Sequence, residues 1–258
     1  MPLDFGILIL SCDKYSDMWN PFFQLFWQNW KNCPYPVYLG SNTVRFQDDR
    51  IITVLSGEDK DWSRSFKSIL QQIPHPYLLV WLEDFFITSP VNSQNIARYV
   101  QFMQEHKARH IQPKCQPVPD DWICEDIGIY GKGRPYRANV VGFWERNYLL
   151  DLLLEGESPW NFEILGSYRT AYDDGFYCLH PAPFSWINVV EKGSWVPKHF
   201  TYCQQHGIEI DLSKRHVLKG GKKWQSVLQM LYFDSVIKIP WKLRLKLMNV
   251  LRKLIITY

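Results

Sequence analysis

Two unbroken apolar runs constrain this chain most: FGILIL at Phe5 to Leu10 and YLLVWL at Tyr77 to Leu82. A strand with one wet face alternates apolar and polar side chains. A short continuous run bounded by polar loops instead reads as a strand buried on both faces. Such strands need helices above and below the sheet, and the intervening sequence supplies them. FGILIL is followed by the polar loop SCDKYSD and then MWNPFFQLFWQNW, a helix with Asp17 as its expected cap and Pro21 in its first turn. PVYLG gives a strand at Val37 to Gly40, and RIITVL another at Arg50 to Leu55. DWSRSFKSILQQI reads as a helix with Ser63 as its cap, ahead of YLLVWL. The order β-α-β-β-α-β predicts an α/β fold with a mixed, mostly parallel sheet flanked by helices.

The rest reads less sharply. A helix is expected from about Ser93 to His106, then a short strand HIQP. Lys114 to Arg137, rich in Pro, Gly and Asp, reads as loops that cover or edge a site. ANVVGFWER at Ala138 to Arg146 looks like a strand, and NYLLDLLLEG like a helix ending at Gly156. ESPWNFEILGSYRTAYDD is read as short helix and loop, SWINVVEKGSW as a late strand, and KHFTYCQQHG as a helix.

At 258 residues the chain suits one large domain with a tail, divided here as 1–220 and 221–258. Six basic residues and no acid fall between Lys238 and Lys253; without them, 23 basic face 26 acidic residues. The body is therefore mildly acidic, and no basic face suggests a nucleic-acid partner. From Trp241 to Ile255, Lys242, Lys246, Asn249 and Lys253 share one helical face, opposite Leu243, Leu247, Val250, Leu251, Leu254 and Ile255. A basic amphipathic helix of this kind reads either as a membrane-surface element or as a terminal helix docked on the core. The six cysteines show no CxxC or zinc spacing and are expected as reduced thiols of a cytoplasmic protein. MPLDFGILILSCDKY lacks the features of a signal peptide, and no run reaches transmembrane length.

In open α/β sheets, ligands sit beyond the carboxyl ends of the strands. Ser11-Cys12-Asp13 and Glu83-Asp84 both fall at such ends. Paired carboxylates suit a divalent cation, Mg or Mn, that shares its coordination with substrate phosphates. The bland alternative for Glu83-Asp84 is a helix start, where the dipole favours acids. Glu163, just after the aromatics Trp160 and Phe162, is either a carboxyl with a raised pKa able to act as a general base, or an ordinary helix-start acid. Lys192 beside Gly193 suits a phosphate contact or a plain turn. Asp173-Asp174 is a metal pair or a DDG turn, and His180 a minor candidate near it. Serine-hydrolase, Walker and GxGxxG motifs are absent.

Taken together, LILSCDKYSDMWNPFFQLFWQNWKNCPYPVYLGSN, DWSRSFKSILQQI, LLVWLEDFFI, VVGFWERNYLLDLLLEGESPWNFEILGS and VVEKGSW resemble bacterial glycosyltransferase-like proteins of capsule and lipopolysaccharide gene clusters, over roughly residues 5 to 200. The resemblance implies a GT-A-like, Rossmann-like fold and transfer of a sugar from a nucleotide-sugar donor to a surface-polysaccharide or lipid-linked acceptor. It would place Ser11, Asp13 and Tyr15 around the nucleotide, and Asp61, Trp62, Arg64 and Lys67 near the base or diphosphate. Glu83 and Asp84 would hold the metal where such enzymes carry Asp-x-Asp, although this chain has Glu-Asp-Phe. Glu163 would be the base of an inverting transfer, and Lys192 would lie near the diphosphate. The tail would meet the inner face of the cytoplasmic membrane. Two other classes stand beside this reading: a nucleotidyltransferase, whose Gly-rich basic first loop SCDKYSD does not match, and a non-catalytic carbohydrate-binding protein of the same fold.

Overall fold

The structure is a computed structural model that describes residues 4–191, 193–218 and 238–246. Its centre is a nine-stranded mixed sheet in the order β3-β2-β1-β4-β9-β6-β10-β8-β7. The first half follows the expected alternation: β1 (Phe5–Leu10), a 3-10 turn (Asp13–Met18), α1 (Trp19–Asn29), β2 (Val37–Ser41), β3 (Ile51–Leu55), α2 (Trp62–Gln72) and β4 (Tyr77–Leu82). These four strands are parallel and adjacent. After them come β5 (Phe85–Ile87), α3 (Ser93–Glu105), β6 (His110–Gln112), β7 (Asp121–Cys124), β8 (Ile127–Ile129), β9 (Gly142–Glu145) and α4 (Arg146–Leu152). The chain continues through α5 (Pro159–Asn161), a π-helical turn (Phe162–Gly166), α6 (Ser167–Arg169), β10 (Phe176–Leu179), β11 (Trp186–Asn188), β12 (Val190–Glu191), β13 (Ser194–Trp195) and α7 (Pro197–Gln205). In the large sheet β9 and β8 run against their neighbours. A mixed sheet of this order with helices on both faces is a GT-A-like, Rossmann-like α/β fold.

The two apolar runs are continuous because both of their faces are packed. Ile7, Ile9, Leu79 and Trp81 join the core under α1 and α3, while Leu8, Leu10, Leu78 and Val80 join the core under α2 and α4. His110 is a core residue, stacked on Trp144 at 3.9 Å. Its Nδ1–H donates to the Phe143 carbonyl, and burial holds the ring neutral, with its pKa pushed down to about 3. Gly142 makes room for it: its φ is +148°, and a Cβ there would lie 2.5 Å from the imidazole.

Several local expectations are corrected. Asp17 does not cap α1; the residue before that helix is Met18, which supplies no side-chain cap. The cap of α2 is Asp61, not Ser63, because Asp61 accepts the Arg64 N–H at 2.8 Å and also the Ser63 hydroxyl at 2.7 Å. α4 ends at Leu152, so Gly156 serves the following turn, with φ +84°. Lys114 to Arg137 is not only loop: it holds the β7–β8 hairpin, which extends the sheet beyond β10, itself absent from the expected elements.

The thiols are not all reduced. Cys115 and Cys178 form a disulfide that ties the segment after β6 to β10 across 63 residues. Closing a loop of that length restricts the unfolded chain, so Cys115→Ser is expected to lower stability by about 2–4 kcal/mol. Denaturant unfolding of the variant beside the wild type, each with and without reductant, checks this; equal midpoints in all four samples would remove the bridge from the account.

Among the described residues no helix is long and apolar enough to cross a membrane. Of the tail, only residues 238–246 are described, so most of the expected amphipathic helix lies outside the described residues. That short piece docks on the domain. Arg244 donates to the Gly133 carbonyl at 2.5 Å, and Trp241 meets the Tyr172 ring edge-on at 5.3 Å. Gly133, with φ +70°, admits Trp241, since a Cβ there would lie 2.6 Å from it. Lys242, Leu243 and Lys246 stay exposed.

Candidate active site

A cleft of about 370 Å³ opens beyond the carboxyl ends of β1 and β2, against the N-terminus of α2. Its lining includes Ser11, Cys12, Lys14, Asn42, Lys60 and Trp62, with Asp61 beside them. The loops hold this shape through Asp13. Its carboxylate accepts N–H bonds from Asn42 at 3.0 Å, Thr43 at 3.1 Å and Val44 at 3.2 Å, fastening the loop after β1 to the loop after β2. Burial pushes the Asp13 carboxyl up, but the Thr43 hydroxyl and these N–H groups outweigh it and hold the group below the usual carboxylate range. Asp13 therefore shapes the cleft by spending its oxygens on the neighbouring loop. Ser11 accepts the Trp19 indole N–H at 2.8 Å.

The α2 residues divide. Asp61 and Trp62 line the cleft. Arg64 pairs with Glu155 at 2.6 Å, and the Lys67 ammonium reaches the Leu153 carbonyl at 3.5 Å, so both bind the turn after α4. Lys67 is not part of the lining, contrary to its expected place by the base or diphosphate. Lys14 and Lys60 line the cleft with Trp62, alongside Asp59 and Asp61, and the Lys60 ammonium also reaches Glu58 at 3.7 Å. Two point charges next to an aromatic face suit a ligand that is both anionic and aromatic.

Glu83 and Asp84 form the turn between β4 and β5. Neither starts a helix, so the helix-dipole reading of the pair fails. The turn is held on its far side, where the Asp84 carbonyl accepts the Val189 N–H at 2.9 Å and β5 pairs with β11. Glu83 is buried, at 7% exposure. Burial pushes its carboxyl well up, and the neighbouring Asp84 pushes it further, against a smaller pull from Arg215. Asp84 is pushed up to about 6, chiefly by burial. Tyr15 and Cys12 both feel the charge of Glu83, which places the loop after β1 directly against this turn.

Arg215, which no local pattern singled out, closes this side. Its Nε and Nη2 donate to the two Asp17 carboxylate oxygens at 2.7 and 3.0 Å, and its guanidinium lies 4.0 Å over the Tyr15 ring. Asp17, expected to cap α1, is thereby neutralised by Arg215. Glu83, buried, and Asp84, half-buried, remain as two carboxylates whose charge Arg215 only partly offsets. That donor set fits a hard divalent cation. No group of three side chains able to ligate a metal occurs among the described residues, so such a cation would take its other ligands from substrate oxygens and water. Lys192 lies outside the described residues.

Glu163 sits in the π-helical turn. Phe162 beside it is fully buried, 5.8 Å from the Trp62 ring and 6.1 Å from Trp144. The segment is clamped from its other end: Arg169 donates twice to Glu157 at 2.5 and 2.9 Å, and the Glu157 N–H donates to Ser63 at 3.2 Å. The Glu163 carboxylate accepts the Val140 N–H at 3.4 Å. Burial pushes its carboxyl up to about 7, only partly offset by that bond. Trp62, which lines the cleft, joins the two regions through Phe162.

The remaining candidates are structural. Asp173 accepts the Tyr148 hydroxyl at 2.5 Å, Asp174 pairs with Lys132 at 3.2 Å, and Gly175 completes the turn with φ +94°. His180 packs against Trp122 at 6.3 Å. Lys60 and Asn42 were legible through the rule that placed Ser11 and Glu83, since both follow parallel strands.

No family model matches the chain, and no curated protein matches it. Solved structures do resemble it. The S. aureus TarS 1-349 structure is 12% identical over 67% of this chain and 59% of that one, with a TM-score of 0.45. The glycosyltransferase GlyE of Streptococcus pneumoniae TIGR4 is 10% identical over 93% of this chain and 62% of that one, at 0.44. A cytidylyltransferase from Leptospira borgpetersenii is 9% identical over 91% of this chain and 96% of that one, at 0.47. The chain spans 36% of the longer TarS chain and 59% of the shorter. At such scores the likeness decides nothing about chemistry, and the fold stands on the strand order alone.

Proposed function

We propose that this chain is a glycosyltransferase that moves a sugar from a nucleotide-sugar donor to a surface-polysaccharide or lipid-linked saccharide acceptor, with inversion. The observation that carries the reading is convergence at one end of the sheet. A cleft lined by two lysines and a tryptophan and the Glu83–Asp84 turn lie at the ends of β1, β2 and β4, and a carboxyl pushed up to about 7 follows Phe162, which packs near the cleft's Trp62. Trp62 and the lysines hold the base and phosphates of the donor. Glu83 and Asp84 hold a divalent cation, Mg or Mn, whose charge offsets the negative charge on the departing diphosphate. Glu163 accepts the proton of the acceptor hydroxyl as the oxygen attacks the sugar. The basic tail, 221–258, brings the domain to the inner surface of the cytoplasmic membrane, where a lipid-linked acceptor would lie.

Calorimetric titration with UDP, GDP, dTDP and CMP, first with Mg²⁺ or Mn²⁺ and then with EDTA, tests this. One of the four is expected to bind and to need the metal. Binding that survives EDTA would keep the transferase and move the diphosphate onto Lys14 and Lys60. No binding by any of the four would sink the reading in favour of a non-catalytic protein.

A further inference from the structure

We propose that Arg215 is a positioning residue of the donor site: its guanidinium locks the loop after β1 to the β12–β13 turn, so that the segment after α7 forms one wall of the site. This rests on the donor-site reading above.

The fork geometry is the first support. Beyond its two bonds to Asp17, Arg215 Nη2 donates to the Lys14 carbonyl at 2.8 Å, and Nη1 makes a longer contact with the Gly193 carbonyl at 3.5 Å. One planar group therefore holds two oxygens of a side chain and the backbone on either side of it. A lysine ammonium cannot span these acceptors in one plane. Lys14 itself lines the cleft, so fixing its carbonyl fixes where its side chain leaves the backbone.

Burial is the second. The Arg215 and Asp17 side chains are 8% and 2% exposed, unlike the surface pairs elsewhere in the chain. A buried pair this closed gives defined geometry where an exposed one gives little. The third is anchorage. The segment bearing Arg215 is tied to β13, where the Trp195 N–H donates to the His216 carbonyl and the Leu218 N–H to the Trp195 carbonyl, both at 2.8 Å. Arg215 thus projects from a fixed strand-like piece onto the loop after β1, across 198 residues of sequence.

The test uses the full chain carrying Arg215→Met, Arg215→Lys, Asp17→Asn or the Asp17→Asn/Arg215→Met pair. Two quantities are read: affinity for the nucleoside phosphate that the wild type binds, and amide hydrogen exchange over residues 11–18. Each single change is expected to weaken binding about tenfold, the size of one charge-assisted bond, and the double change to add nothing further. Exchange over residues 11–18 is expected to rise while the rest of the sheet keeps its protection. Arg215→Lys keeps the charge and loses the fork, so it decides the matter where Arg215→Met does not fold: unchanged affinity and unchanged exchange in Arg215→Lys would overturn the proposal. A wild type that binds no nucleotide defeats the donor reading. In that event a rise in exchange confined to residues 11–18 upholds the lock, and no rise overturns it.

Discussion

Glu163→Gln is expected to slow sugar transfer by about 10²- to 10⁴-fold, the contribution of a positioned general base, while the variant still binds nucleotide. The separation follows from geometry. The Glu163 carboxylate points at the Val140 N–H, and Glu163 is not among the residues that line the cleft. The pH dependence has a fixed sign. With its carboxyl pushed up to about 7, Glu163 is protonated below that value and cannot accept a proton, so wild-type transfer rises with pH and levels off above about 7. The variant should lose that limb. Stability moves the opposite way. The folded-state value lies above the ordinary 4.5, so the protein gives up stability as pH rises from 4.5 through about 7. The uncharged glutamine is therefore expected to match the wild type at pH 4 and to melt higher at pH 8. Wild-type turnover in the variant would remove Glu163 as the base, and equal melting at pH 8 would remove the burial argument.

Asp84→Asn is expected to weaken metal-dependent donor binding by about 10- to 100-fold and to erase the difference between Mg²⁺ and EDTA. A cation needs ionised ligands, and protons compete for them. Because burial pushes Asp84 up to about 6 and Glu83 well above the usual carboxylate range, donor binding in the wild type should fade as pH falls below about 6, even with saturating metal. Titrations at pH 5, 6 and 8 read this directly. An affinity indifferent to pH, metal and the substitution would leave the acid pair without a role in the donor site and the phosphates with Lys14 and Lys60.

The elements legible in the sequence were those whose burial is two-sided. Phe5–Leu10 and Tyr77–Leu82 are apolar at every position because helices cover both faces, and that leaves a direct imprint. β10, FYCL, carries the same two-sided burial in only four residues, too short a run to stand out, and the β7–β8 hairpin left none. Asp121–Cys124 is exposed throughout, and it is a strand because Ile127–Ile129 pairs with it at the sheet edge. Asp17 looked like a cap because caps are local, but a partner 198 residues away took its oxygens. Ser63 looked like a cap for the same reason, until Asp61 two residues earlier proved able to bond both Arg64 and Ser63. The acid pair and Glu163 were legible as candidates because strand ends and aromatic flanks are readable patterns. Arg215 and the Cys115–Cys178 bridge were not, since each exists only as a contact between distant segments.

The contact of Trp62 with Phe162 would make two equilibria depend on each other in the proposed enzyme. Trp62 lines the cleft, and its ring lies 5.8 Å from Phe162, the residue before Glu163. A donor that shifts Trp62 changes the surroundings in which Glu163 takes up a proton. By linkage, whatever factor the donor imposes on that proton affinity, protonation of Glu163 imposes the same factor on donor affinity. Proton and nucleotide would then be coupled ligands of one aromatic contact, and the apparent ionisation of Glu163 would report on whether the cleft is full.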